Sequence, residues 1–241
     1  MDAKEIRIAL RNPKVIACQP CIIINDVKFH HHPNGGGLVA ETALVEETVR
    51  LDMASIVLDR AQIKGRVRIT GSPIIKDDVV ITGNVRIEGH HIEISGKVRL
   101  SDKVVVSGGN VLIGENAIVR DFATIRGGTI IGSPIIGGHA QIYDSPKISG
   151  EPRISGDVQI GGFAEVSGGT FSDQARVYDW ARVWGSPRLS GHVRVFHQGK
   201  VHDFADLSDD VWVCGGAEVY GNAKERGDKV IGSDERIFCS E

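Results

Sequence analysis

The chain has 241 residues, with 28 lysines and arginines against 31 aspartates and glutamates, and a formal net charge of -3. This balance supplies no global basic field of the kind that gathers nucleic-acid phosphates. No stretch approaches the eighteen or so apolar residues that span a bilayer, and the N-terminus lacks an apolar signal core. We therefore expect a cytoplasmic protein that binds neither nucleic acid nor membrane.

The first 38 residues contain no repeat, and the apolar run at residues 21–24 predicts a strand. We interpret this segment as an N-terminal cap over the open end of a repeat structure. Cys18 and Cys21, with His30–His32 downstream, offer nitrogen and sulfur ligands with zinc-like chemistry. The spacing matches no known site and a single CxxC is more often incidental, so we predict no metal.

A repeat occupies residues 39–221, where an aliphatic residue recurs every sixth position with four slips of one residue. The positions are Val39, Val45, Leu51, Val57, Ile63, Ile69, Ile75, Ile81, Ile87, Ile94, Leu100, Val106, Ile113, Val119, Ile125, Ile130, Ile136, Ile142, Ile148, Ile154, Ile160, Val166, Phe171, Val177, Val183, Leu189, Val195, Val201, Leu207, Val213 and Val219. A period of six is too long for one face of a helix, but it fits short strands separated by tight Gly or Asp corners. Three such hexads make one triangular coil whose aliphatic side chains stack along a shared axis.

A second register, two positions before each aliphatic residue, holds mostly small residues. Within the repeat, prolines are confined to this register, at Pro73, Pro134, Pro146, Pro152 and Pro187. Because proline has no amide hydrogen for a sheet, we place the register at the corners. Residues 222–241 lose the repeat and turn polar, which predicts a C-terminal cap or tail.

The unit seen at Ile154–Val158 resembles that of the hexapeptide-repeat superfamily, and the resemblance covers residues 39–219. It implies an all-β fold, a single-stranded left-handed parallel β-helix with three hexads per coil and short caps at both ends. Parallel crossovers are otherwise almost always right-handed, so the hand follows from the resemblance alone.

Four segments, Asn25–Lys28, Gly35–Val39, Val211–Cys214 and Ala217–Gly221, are similar to the YdcK-like branch of that superfamily. The branch is described as acyltransferase largely because of its fold. The resemblance implies acyl-CoA as cofactor, bound between subunits, and a histidine that deprotonates an acceptor hydroxyl or amine. The long extruded loop and C-terminal helix common in such enzymes do not appear in the sequence, which weighs against catalysis.

Three of the four slips fall at the same corner of successive coils, at residues 88–93, 107–112 and 126–129. This irregular corner carries two candidate catalytic bases, His90 and His91. Its candidate ligand-binding residues are Gly89, Gly108, Gly109, Asn110, Arg126, Gly127 and Gly128. The alternative is that these corners are tolerated for packing reasons and that both histidines are solvated.

The outward positions of one face carry Tyr143, Tyr178, Phe196 and Trp212. Exposed aromatic area is typical of interfaces, so we predict a homo-oligomer, a trimer or dimer, that packs through this face. The alternative is that the rings only stack along the sheet, each contributing roughly 0.2–1 kcal/mol.

Two functions remain open from the sequence. The favoured one is a non-catalytic binding scaffold that presents flat β-faces to a partner or to itself. The other is an acyl-CoA-dependent acyltransferase that acts at the irregular corner.

Overall fold

A computed structural model describes residues 16–18, 21–24 and 27–239 of the chain. All regular structure in these residues is β, and they contain no helix that is long and apolar enough to cross a membrane. The fold is the predicted one, a left-handed parallel β-helix of about eleven turns.

Each turn contributes one strand to each of three faces. The first face contains Leu38–Ala40, Ile56–Val57, Ile74–Ile75, Gly128–Ile130, Lys147–Ile148, Glu165–Val166, Arg182–Val183, Lys200–Val201, Glu218–Gly221 and Arg236–Cys239. The second face contains Leu44–Val45, Gln62–Ile63, Val80–Ile81, Arg99–Leu100, Ile118–Val119, Ile135–Ile136, Arg153–Ile154, Thr170–Phe171, Arg188–Leu189, Asp206–Leu207 and Lys224–Glu225. The third face contains Arg50–Leu51, Arg68–Gly71, Thr124–Ile125, Gln141–Ile142, Gln159–Ile160, Arg176–Val177, Arg194–Val195, Asp210–Val213 and Asp228–Ile231. Two longer strands, Arg86–Ile94 and Val105–Ile113, run round the corner from the third face to the first.

The predicted aliphatic register forms the interior. Ile69 pairs with Ile87 and Ile87 with Val106 on successive turns, and all three side chains are fully buried. Side chains on a strand alternate between its two sides, so one inward residue per strand gives three stacked apolar columns. The alignment of these three residues confirms the register on which the sequence analysis depends.

Aspartates stabilise many corners by linking successive turns. Asp102 and Asp121 have φ angles of 63° and 64°, in the left-handed region that Asp tolerates better than most residues. The Asp102 carboxylate accepts a hydrogen bond from the Asp121 N–H at 3.2 Å, and the Asp121 carboxylate accepts one from the Gly138 N–H at 2.9 Å. Each carboxylate therefore satisfies an amide of the next turn.

The N-terminal strands Ile16–Cys18, Cys21–Ile24 and Val27–His31 pair antiparallel, and the last of them pairs with Leu38–Ala40 on the first face. The chain then closes the first turn, since the Leu51 N–H donates to the Asn34 carbonyl at 2.9 Å. A separate apolar cluster forms on the outer side of the first face, where Phe29, Leu38, Ile56 and Leu58 are buried.

Parallel pairing continues past residue 221 to Cys239. The predicted limits of the repeat, residues 39 and 221, remain a prediction. In the last turn Glu225 takes the register position of Leu207, and Lys229 that of Val211. The Lys229 ammonium pairs with the Glu225 carboxylate. A charged pair thus replaces two aliphatic residues where the apolar interior ends.

Candidate functional site

The irregular corner is built from two matched turns. The strands Arg86–Ile94 and Val105–Ile113 stay in register round it, with Gly89 opposite Gly108 and His90 opposite Gly109. A Cβ atom at Gly89 would overlap the Gly108 carbonyl oxygen, so close packing of the backbone explains that glycine without any ligand. A Cβ at Gly109 would meet only the His90 carbonyl oxygen, at an ordinary contact distance of 3.7 Å, so close packing does not require this glycine.

His90 is the one candidate base whose ring has a side-chain partner among the described residues. Its Nδ1 lies 3.1 Å from the hydroxyl oxygen of Ser72, a buried residue of the preceding turn. His90 as a whole is exposed. His91 is also exposed and has a φ of 57°, which it shares with Asn110 (56°) on the next turn.

The third slip draws the chain inward. Gly127 and Gly128 are buried, and a Cβ at Gly127 would overlap the Asp144 carbonyl oxygen. Arg126 is exposed on the third face, beside this corner. The corner therefore places His90, Gly109 and Asn110 on the surface and removes Gly127 and Gly128 from contact with a ligand.

The predicted interface residues lie along one face, as expected. Tyr178 and Phe196 are stacked on successive turns with ring centroids 5.2 Å apart and planes 8° apart, and Phe196 meets Trp212 edge-on at 6.3 Å. Burial raises the pKa of the Tyr143 and Tyr178 hydroxyls above their usual value. Tyr178, Phe196 and Trp212 contact one another as the stacking alternative describes, and all four residues are half-buried.

Gly161 connects Tyr143 to this row, and sequence reasoning missed it. It occupies the turn between Tyr143 and Tyr178, and a Cβ there would overlap the Tyr143 ring. The ring therefore lies over the glycine backbone and bridges the missing turn. The signal available in the sequence is a lone glycine in an otherwise aromatic register.

The third face also carries a column of arginines that the sequence analysis did not single out. Arg50, Arg68 and Arg86 are in register on three successive turns, and Arg176 and Arg194 occupy the same column further along. Arg50 has Asp52 at 3.8 Å, and the Arg194 guanidinium lies 4.6 Å from the Trp212 ring centroid. Among the described residues no carboxylate pairs with Arg68, Arg86, Arg176 or Arg194.

The first face has a second aromatic row, also missed. Its members are Trp184, His202, Tyr220 and Phe238, with centroid separations of 4.1, 5.1 and 4.9 Å. The His202 ring lies between two others, and its Nε2 is 3.2 Å from the Glu218 carboxylate. The His202 Nδ1 lies 3.2 Å from the Asp203 carboxylate but makes no hydrogen bond of good geometry, so only Nε2 is satisfied on this face.

Four further rings occupy corners and project into solvent. Phe163 and Trp180 are 59% and 62% exposed and stack on each other at 5.8 Å. Phe122 stacks on His139, and Phe204 is 67% exposed. The exposure of these rings shows side chains that point away from the interior.

The metal ligands considered in the sequence are only partly described. Cys18 and Cys21 are directly opposite each other in a hairpin, and the Cys18 side chain lies outside the described residues. The His31 Nδ1 is 2.7 Å from the Gly36 carbonyl oxygen, and the His32 Nε2 is 3.1 Å from that of Glu46. Within residues 21–24 and 27–239 no three metal-ligating side chains converge.

Comparison with family models, with curated proteins and with solved structures returns no match for this chain. The parallel β-helix is consistent with a hexapeptide-repeat protein, and the protein is assigned to this class of fold alone.

Proposed function

We propose that the protein is a non-catalytic scaffold that associates with a second copy of itself through the third face. The observation that carries this proposal is the aromatic row of that face, which Gly161 makes continuous from Tyr143 to Phe196. Contiguous aromatic area on a flat surface is enriched at interfaces.

The dimensions of the face support the proposal. Eleven turns spaced by about 4.8 Å, on a face about 15 Å wide, give roughly 800 Å². A stable complex of standard size buries about 800 Å² on each partner. A side-by-side pair of β-helices in contact along one whole face therefore reaches the area that stable association needs.

Sedimentation velocity of single-residue variants tests this function. Phe196→Glu places a charge in the aromatic row, so we expect the dimer to dissociate at concentrations where the unmodified protein is associated. Thr170→Glu adds the same charge at an exposed position of the second face and serves as the matched control. Equal association of both variants would contradict the choice of face.

A second candidate function is acyl transfer, and the Ser72–His90 contact is the observation that favours it. In the tautomer in which His90 Nδ1–H donates to the Ser72 hydroxyl oxygen at 3.1 Å, the imidazole is oriented and Nε2 is left to accept a proton from an acceptor hydroxyl or amine. The similarity to the YdcK-like branch supports the same candidate by analogy of fold.

Thermal shift with acetyl-, succinyl- and other acyl-CoA thioesters tests this candidate. A ligand at a hundred times its Kd stabilises a protein by about 2.7 kcal/mol. We expect His90→Ala to abolish turnover and His91→Ala to preserve it, because only His90 is oriented by a neighbour. If no thioester raises the melting temperature, the acyltransferase candidate is excluded and the scaffold function is the one that remains.

A further inference from the structure

The third face is divided lengthwise into two columns of outward side chains. The column before each inward aliphatic residue holds five arginines and no acid: Arg50, Arg68, Arg86, Val105, Thr124, Gln141, Gln159, Arg176, Arg194, Trp212 and Val230. The column after it holds the acids and three of the four rings of this face: Asp52, Thr70, Glu88, Ser107, Arg126, Tyr143, Gly161, Tyr178, Phe196, Cys214 and Gly232. We call these the arginine column and the acid–aromatic column.

The arginine column is unfavourable in an isolated chain. Arg50, Arg68 and Arg86 are directly in register, and like charges opposite each other in a sheet are destabilising. Arg68 and Arg86 have no carboxylate partner among the described residues, whereas Glu88, two residues from Arg86, is exposed. A carboxylate supplied from outside the chain would relieve this repulsion.

Two orientations of a second copy are possible on this face, and symmetry decides which columns meet. A two-fold axis parallel to the β-helix axis brings the arginine column of one copy onto the acid–aromatic column of the other, turn for turn. A two-fold axis that lies in the plane of the face and perpendicular to the β-helix axis brings each column onto itself, and we call this arrangement the crossed dimer. When that axis passes through the turn of Tyr143, Arg86 faces the partner's Arg194.

We infer that the protein forms a parallel, two-fold dimer in which the arginine column of each copy lies on the acid–aromatic column of its partner. This inference rests on the proposed self-association and specifies its geometry. Arg50 faces the partner's Asp52, and Arg86 faces the partner's Glu88. Arg176 lies opposite the partner's Tyr178, whose hydroxyl oxygen accepts a hydrogen bond from the guanidinium. Each of these contacts occurs twice because the interface is isologous.

Charge reversal distinguishes the two orientations by the sign of its effect. In the parallel dimer Arg86→Glu sets two carboxylates against each other at two places, so we expect the dimer Kd to rise at least about tenfold. The double variant with Arg86→Glu and Glu88→Arg restores the pairing, and its Kd returns toward that of the unmodified protein. In the crossed dimer Arg86→Glu would meet the partner's Arg194 and tighten association, which would overturn the inference.

A distance measurement separates failure of the geometry from failure of self-association. Thr70→Cys, in a chain whose four cysteines are replaced by serine, carries one spin label on the second turn of the face. The parallel dimer predicts labels within about 20 Å of each other, whereas the crossed dimer separates them by eight turns, about 38 Å. A label-to-label distance of about 38 Å would overturn the parallel arrangement alone. The absence of any dipolar coupling between labels, whether or not the protein associates, would overturn self-association through this face.

Discussion

The first and third faces of this β-helix differ in the arrangement of their charged side chains. On the first face acids and bases share one column, so Glu165 pairs with Arg182 at 3.2 Å and Glu218 with Arg236 at 3.5 Å, although Arg182 and Lys200 are in register with each other. On the third face Arg68 and Arg86 are stacked without a carboxylate partner among the described residues. Both faces rest on the same interior, so the difference lies wholly in the outward side chains.

The difference shows how a repeat fold separates stability from recognition. The inward register determines the coil, and any outward residue that tolerates a strand is compatible with it. The first face pairs several of its charged and aromatic side chains within the chain, including His202 with Trp184 and Glu218. The third face leaves its contacts incomplete, and that is the property expected of a surface that meets another molecule.

The largest expected effect comes from breaking the interior beneath the third face. Ile160 is fully buried between Ile142 and Val177. Ile160→Asp buries an unpaired charge, so we expect the free energy of unfolding in urea to fall by at least about 4 kcal/mol. The control is Gln159→Asp on the outward side of the same strand, with an effect within about 0.5 kcal/mol. An Ile160→Asp variant as stable as this control would contradict the assigned register.

A smaller effect sharpens the comparison between the two faces. Gly161 on the third face and Gly114 on the first each follow an inward isoleucine. Alanine at Gly161 overlaps the Tyr143 ring, whereas alanine at Gly114 meets Ile131 at an ordinary 3.6 Å. We expect Gly161→Ala to cost about 1–3 kcal/mol and Gly114→Ala to cost less.

A double-mutant cycle checks the cause of that cost. In a Tyr143→Ala background the ring is gone, so Gly161→Ala should lose most of its effect on the free energy of unfolding. An unchanged cost in this background would show that the Tyr143 ring is not what the glycine accommodates.

The smallest effect concerns the corners, which all faces share. The Gly191 N–H and the Ser172 hydroxyl donate to the Asp173 carboxylate and hold its pKa below the ordinary value. A carboxylate with a lowered folded-state pKa stabilises the fold above its unfolded pKa of about 3.9, and that stabilisation is lost as the pH falls through the folded-state value. Urea titrations at decreasing pH should therefore show a loss of stability in acid, smaller in Asp173→Asn. An identical acid dependence in this variant would assign the loss to other groups.

The fold could be predicted in detail because an aliphatic residue recurs at every sixth position some thirty times, and each recurrence is independent support for the same register. The stacking of Ile69, Ile87 and Val106 followed from counting alone. The hand of the coil did not, since inward periodicity is the same for either hand. The outward contacts were harder to foresee, because they depend on which residues fall one turn apart. Gly161 and the arginine column become visible only when the sequence is written turn by turn, whereas the contact of His90 with Ser72 depends on rotamers.

The molar mass of the unmodified protein in solution tests the central claim most directly. Sedimentation equilibrium over a range of concentrations should give twice the chain mass of 26.0 kDa, because the third face is complete only when a second copy covers it. A mass of 26.0 kDa at every concentration would contradict the account.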